Sequence, residues 1–370
     1  MKMASNCVCA VRGFWVVFLV LLRLSCAEGQ MVPALFVFGD SLVDVGNNDY
    51  LPISITRADL PPYGVDFPTK KPTGRFSNGK NTADFIAEKL RLPTSPPYLA
   101  LISVGESYSS SPFLNGVSFA SGGAGIFDGT YGKYQQYITL TKQVEYYIAV
   151  HENLVQHMGS SGAKKYVAKS LFVIAIGSND ILDYSRSSDL RKQHTPQQYV
   201  VLMASSLKDQ LKHLHNHDAR KFVFAGLSPI GCCPSQRNQN KTASCNEDTN
   251  SWSRMYNMAL LAMLKGLKSE LNDISYSYLD TYTVVKNFVQ NPSAYGFTEV
   301  KAACCGLGNL NAIVPCLPIS QYCPNRRDHV FWDPVHPTEA AVRILIDKVF
   351  HGSPQYTYPM DVQQLAAVDV

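Results

Sequence analysis

Short apolar runs recur along this chain at Ala34–Phe38, Gly116–Ala120, Leu171–Ile176, Phe222–Ala225 and Ile274–Leu279. Brief, continuous runs of this kind predict strands buried on both faces. Between them, apolar residues recur at helical spacing over Thr82–Leu90, Leu140–Gln156, Pro196–Leu214, Arg254–Leu271 and Pro337–Phe350. Alternating strands and helices, joined by right-handed crossovers, imply a parallel sheet covered on both faces. Two irregular stretches interrupt the rhythm. Pro52–Asn78 is rich in Pro, Gly and polar residues, and Asn291–Asp328 carries four cysteines. Long loops in compact domains are functional or disordered, and the cysteines favour an ordered loop in the second, either walling a substrate groove or stapled to the surface. Residues from Gly352 onward read as a tail. With no Gly/Ser linker, charge run or internal repeat, residues 28–351 read as one domain and 352–370 as its C-terminal extension.

The N-terminus stands apart from this pattern. Lys2 and Arg12 precede an apolar run from Phe14 to Leu22, and Ser25-Cys26-Ala27 supplies small residues for cleavage. That is the layout of a secretory signal peptide over residues 1–27. No later stretch approaches the roughly 18 consecutive apolar residues of a membrane span, so the mature chain is expected to be secreted and not an integral membrane protein. The formal charge of +4 includes Lys2, Arg12 and Arg23, and subtracting these three leaves +1. A balance so near neutral gives no electrostatic case for nucleic acid. Of ten cysteines, Cys7, Cys9 and Cys26 fall in the signal. Those left in an oxidising compartment are expected to pair, with one over. A bridge from Cys232 or Cys233 to Cys245 would close a short loop, and Cys304, Cys305, Cys316 and Cys323 would pair among themselves; their adjacent placement fits zinc spacing poorly. Asn240-Lys241-Thr242 is a glycosylation sequon in a polar, loop-like setting.

Chemistry enters where the first strand ends. Phe36-Val37-Phe38-Gly39-Asp40-Ser41 sets a serine hydroxyl at the carboxyl edge of the sheet, where open α/β proteins place their active sites. Taken alone, Gly-Asp-Ser equally describes a strand-to-helix turn with serine as a cap. Asp333-Pro334-Val335-His336 adds a carboxylate and an imidazole three residues apart, stiffened by Pro334 and by Pro337 at the expected first position of a helix. In a tight turn Asp333 can hold the imidazole's tautomer while His336 takes a proton from Ser41; alternatively Asp333 is a local turn acceptor. Two further stretches offer donors for an oxyanion. Asn179 follows the strand ending at Ile176, and Ser121-Gly122-Gly123-Ala124-Gly125 follows another, where glycine lets an N–H approach an anion closely. No Walker pattern, dinucleotide fingerprint or Gly-x-Ser-x-Gly elbow occurs. His213 and His217 share a helical face, as a metal pair would, though a helix C-terminus favours histidine and no third ligand accompanies them. Tyr131, Tyr134, Tyr137, Tyr146 and Tyr147 suit either an apolar or sugar-binding groove or amphipathic packing.

Phe38-Gly39-Asp40-Ser41-Leu42-Val43-Asp44-Val45-Gly46-Asn47-Asn48 resembles the first block of the plant-type GDSL esterase/lipase family, within the SGNH hydrolases. The likeness continues through Pro72–Gly79, Ser118–Gly125, Ile176–Asp180, Gly231-Cys232, Cys304-Cys305-Gly306 and Phe331–Pro337, in order and nearly end to end. It implies a flavodoxin-like three-layer α/β/α fold with a mostly parallel five-stranded sheet, and hydrolysis of small-molecule esters by a serine nucleophile with no cofactor or metal. It assigns Ser41 as nucleophile, Asp333 and His336 as its partners, and the Ser41 N–H, a glycine N–H and Asn179 as oxyanion donors. Block alignment favours Gly123 over Gly122 for the glycine. Two positions depart from the family pattern. A single cysteine usually follows Gly231, which makes Cys233 the spare thiol and Cys232 the bridged one, and Ser118 stands where the family usually has Asn. Acyl transfer to an alcohol by the same residues, or a catalytically silent binding protein, are the rival readings. The ester itself stays open among lipid, wax or cutin monomers, acylated sugars and small aromatic esters.

Overall fold

The computed structural model describes residues 29–103, 111–131, 136–352 and 354–370; the expected signal peptide and Tyr134 lie outside them. Four parallel strands form the centre: β1 (Leu35–Gly39), β2 (Leu171–Ala175), β3 (Lys221–Ala225) and β4 (Ser275–Leu279), hydrogen-bonded in that order. The run Gly116–Ala120 is not a regular strand, yet it follows the free edge of β1. Val37 N–H donates to the Val117 carbonyl (2.9 Å) and Phe119 N–H to the Val37 carbonyl (2.8 Å). With that segment outside β1, and counted as second in chain order ahead of β2, β3 and β4, the order across the sheet is the flavodoxin-like 2-1-3-4-5. A smaller parallel pair joins β5 (Glu299–Ala303) to β6 (His329–Phe331).

The strand sequences give the sheet two unlike faces. In register, Phe36, Phe172, Phe222 and Tyr276 point one way. On that side Tyr147, on the helix Leu140–Lys169, meets Phe36, Phe38 and Phe172 edge-on at 5.2–6.0 Å. Val37, Val173, Val223 and Ser277 point the other way, toward a layer that includes the helices Thr82–Lys89, Thr281–Gln290 and Glu339–Phe350. Aromatic rings therefore fill one interlayer space, and small side chains leave room in the other.

The residues read as a tail are a structural part of the sheet. β7 (Thr357–Tyr358) pairs antiparallel with β4 and supplies the fifth strand, and the helix Val362–Ala367 buries Val362, Leu365 and Ala366. The small-residue face draws it in. The Ser277 hydroxyl donates to the Met360 carbonyl (2.7 Å), and the buried Lys221 amine donates to the Ala366 carbonyl (3.0 Å). A chain ending at Gly352 should lose about 4 kcal/mol of unfolding free energy, because it forfeits the burial of Val362 and Leu365, worth roughly 1.5–3 kcal/mol each. Urea unfolding would read this as a lower midpoint, and an unchanged midpoint would contradict the packing.

The two irregular stretches build a second, small core of Ala58, Tyr63, Phe76, Cys305, Cys316 and Trp332. Disulfides Cys304–Cys323 and Cys305–Cys316 staple it, while Cys232–Cys245 closes a short loop elsewhere and leaves Cys233 as a buried free thiol. The Cys-rich stretch thus holds an ordered platform beneath the His336 turn. No helix among the described residues is long and apolar enough to cross a membrane.

Candidate active site

The chain leaves β1 through Gly39, where any Cβ would collide with the Ala175 carbonyl oxygen. The buried Gln143 side chain fixes this peptide from both sides, accepting from Gly39 N–H and donating to its carbonyl, each at 2.9 Å. The next turn winds around Asp40. Its N–H donates to Ala175, its carbonyl accepts from Val43 and Asp44, and Oδ1 accepts from Leu42 N–H (3.0 Å). Ser41 is carried at the crest of this turn, half-buried, at the carboxyl edge of the sheet.

The opposing turn is equally constrained. Asp333 Oδ1 accepts from the N–H groups of Val335 (2.9 Å) and His336 (2.8 Å), and Trp332 N–H closes the turn on the His336 carbonyl (2.8 Å). Pro337 lies outside the helix that follows. Thr338 is its cap, accepting from Ala341 N–H, and the helix begins at Glu339. Pro337 instead bridges Phe331, so its fixed φ serves the turn and not the helix start.

These turns bring the three side chains together. His336 Nδ1 lies 2.7 Å from Asp333 Oδ2, and its Nε2 lies 2.7 Å from Ser41 Oγ. With Nδ1–H donated to the carboxylate, Nε2 is left as the acceptor for the serine hydroxyl. The ring packs on Phe76 at 5.0 Å. Burial raises the Asp333 pKa, but the His336 ring and the two backbone N–H donors outweigh it and hold the carboxyl below the ordinary aspartate range. It stays ionised.

Tyr63 was not anticipated from sequence. Its hydroxyl donates to Asp333 Oδ2 at 2.8 Å across 270 residues. Burial, reinforced by the Asp333 charge, pushes the phenol well above its usual pKa, so it remains a donor. A hydrogen bond to a charged group contributes about 1.5–3 kcal/mol. Tyr63→Phe should therefore lower kcat by about tenfold or more; steady-state rates at saturating ester would show it, and a wild-type kcat would remove Tyr63 from the account.

The glycine loop is tied to the serine turn. Asp44 accepts from Gly46, Asn47 and Gly122 N–H at 2.8–2.9 Å, and Asn47 Nδ2 donates to the carbonyls of Ser118 and Ala120. Ser118, the departure from the family pattern, is fully buried beneath these bonds. Because Gly122 N–H is committed to Asp44, Gly123 is the glycine with a free donor. Among the described residues neither Gly123 N–H nor Ser41 N–H has a protein acceptor. Gly123 sits at φ +91°, a conformation that favours glycine. Asn179, on the first turn of the helix Ser178–Arg186, donates one Nδ2 proton to the Ala124 carbonyl (2.9 Å), and its Oδ1 accepts from the Tyr131 hydroxyl (3.2 Å). Those two bonds orient the amide and leave its second proton unpaired among the described residues. Of the other tyrosines, Tyr137 donates to the Thr130 carbonyl, Tyr146 stacks on Tyr98 and Tyr147 is core. His217 Nδ1 meets the His213 carbonyl at the helix end.

The chain matches the family model for GDSL-like lipase/acylhydrolases over residues 35–349. A GDSL esterase/lipase of Arabidopsis thaliana is 48% identical over 365 residues, spanning 95% of this chain and 97% of that protein. The chain belongs to the GDSL lipase/acylhydrolase family. Another Arabidopsis thaliana GDSL esterase/lipase is 39% identical over 319 residues, covering 85% of this chain and 87% of its own length. Among solved structures, an acetylxylan esterase from Geobacillus stearothermophilus aligns with 92% of this chain and 98% of its own, at 12% identity and a TM-score of 0.36. This GDSL protein is an ester-bond hydrolase, with small-molecule esters as its substrate class.

Proposed function

We propose that this GDSL hydrolase is a secreted carboxylesterase working through an acyl-enzyme on Ser41. The carrying observation is the relay of two 2.7 Å contacts from Ser41 Oγ through His336 to Asp333. His336 Nε2 takes the hydroxyl proton as Oγ attacks the ester carbonyl, and Asp333 stabilises the imidazolium. The carbonyl oxygen becomes an oxyanion met by Ser41 N–H, Gly123 N–H and Asn179 Nδ2. Collapse breaks the C–O bond to the alcohol, which leaves with the proton from His336. Water then adds to the acyl-enzyme with His336 again as base, and the acid departs. The unpaired donors and the fixed tautomer support this sequence.

Secretion is supported by the N-terminal pattern and the three disulfides. Asn240 is exposed and its Oδ1 accepts from Thr242 N–H, leaving the sequon accessible for a glycan. The mature protein is read as one hydrolase domain beginning near Glu28. A fluorophosphonate probe should label the Ser41 peptide and abolish release of nitrophenol from nitrophenyl esters. Undiminished turnover after stoichiometric exposure to the probe would overturn the mechanism.

A further inference from the structure

The small-residue face of the sheet has a consequence for substrate choice. A cavity of about 130 Å³ begins at Ser41, Asn179 and His336 and runs down that face. Its floor is Val173 and Ala175 of β2 with Val223 and Ala225 of β3, and its opposite wall includes Phe288 and Leu345 from the covering helices. Val173 and Val223 lie two residues below Ala175 and Ala225, roughly 7 Å deeper at the rise of a strand. Among the described residues no Lys, Arg or Glu lines the cavity. The carboxylate that does, Asp40, is pushed up to about 7 by burial, and its Oδ2 has no partner among the described residues. On the opposite face Phe36 and Phe172 are fully buried with their rings 5.1 Å apart.

We propose that this cavity is the seat of the acyl chain, and that Val173 and Val223 set its length. The proposal rests on the reading of Ser41 as nucleophile. A chamber lined mainly by apolar side chains recognises an alkyl chain and not a sugar or a charged headgroup. The acyl part is the natural occupant because it stays bonded to Ser41 Oγ, at the chamber mouth, through both half-reactions. A dry apolar cavity of roughly 150 Å³ holds a benzene-sized ligand, so this one takes an acyl chain of about six carbons. Acetyl groups leave it empty, and long-chain fatty acyl groups overrun it.

The test is kcat/KM for nitrophenyl esters from acetate to palmitate, for wild type and two variants. A methylene in a hydrophobic pocket changes discrimination by about tenfold or more. Wild type should peak near hexanoate, at least about tenfold above acetate. The pair Val173→Ile and Val223→Ile narrows the floor while keeping β-branched strand residues. It should lower the hexanoate-to-acetate ratio by about tenfold. Val223→Ala deepens the chamber and should move the peak to longer chains. Should the variants fail to fold, the wild-type profile still decides. A flat profile or a peak at acetate would overturn the assignment in a protein whose Ser41 still reacts with fluorophosphonate. Failure of Ser41 to react would instead remove the nucleophile reading on which the proposal rests.

Discussion

Replacing Ser41 with alanine should lower turnover of a nitrophenyl ester at least about a thousandfold while leaving the fold intact. That loss corresponds to about 4 kcal/mol of transition-state stabilisation. The fold should survive because the turn does not depend on the hydroxyl. Asp40 organises it through its N–H, carbonyl and Oδ1, and Gln143 holds the preceding glycine. The Ser41 hydroxyl meets His336 alone among the described residues. Stability should therefore change by no more than about 0.5 kcal/mol. A variant that unfolds earlier and loses activity in proportion would show that Ser41 is structural, and one with wild-type turnover would show that another group attacks.

Asp333→Asn should be more damaging still, with kcat down by about ten-thousandfold, the effect of an imidazole held in the wrong tautomer. The reason lies in which atoms face the new amide. Oδ1 accepts two backbone N–H groups, from Val335 and His336, and an amide keeps those bonds only by placing its oxygen there. Its NH2 then takes the position of Oδ2, which faces the Tyr63 hydroxyl at 2.8 Å and His336 Nδ1 at 2.7 Å. That NH2 favours Nδ1 as an acceptor over its 2.8 Å contact with the oxygen at Oδ1, so Nε2 carries the proton and presents N–H to Ser41. The base is lost without loss of the residue. Steady-state kinetics with a matched unfolding curve checks this. Near-wild-type kcat in a folded Asp333→Asn would mean that Asp333 only anchors the turn.

What the sequence disclosed follows from how local each signal is. Ser41 and the Asp333–His336 pair sit in short motifs whose chemistry is visible within four residues, and strands β1 and β2 are continuous apolar runs, β3 is one after Lys221, and β4 alternates serine with tyrosine. β7 is two residues long, too short to show a period, and its place on β4 depends on partners far along the chain. The helix expected to end at Gln156 continues to Lys169, interrupted at Gly159 (φ 75°), where the apolar spacing loses register. Thr281–Gln290 is rich in β-branched residues, which favour strands by propensity, yet Asp280 caps it as a helix. Tyr63 and Gln143 belong to the same category. Each acts on a group 104 or more residues away, and neither stands in a motif that announces a partner. The proposal of Gly123 over Gly122 draws its support from one bond, from Gly122 to Asp44, that no spacing rule contains.

The most direct test is to trap the acyl group itself. Wild type and His336→Ala are mixed with nitrophenyl hexanoate, quenched in acid within milliseconds to seconds, digested and weighed. A hexanoyl adduct on the peptide containing Ser41, appearing with a burst of nitrophenol in wild type and strongly suppressed in His336→Ala, is the result expected. Turnover with no adduct at any time, or an adduct on another residue that forms at the catalytic rate, would contradict it.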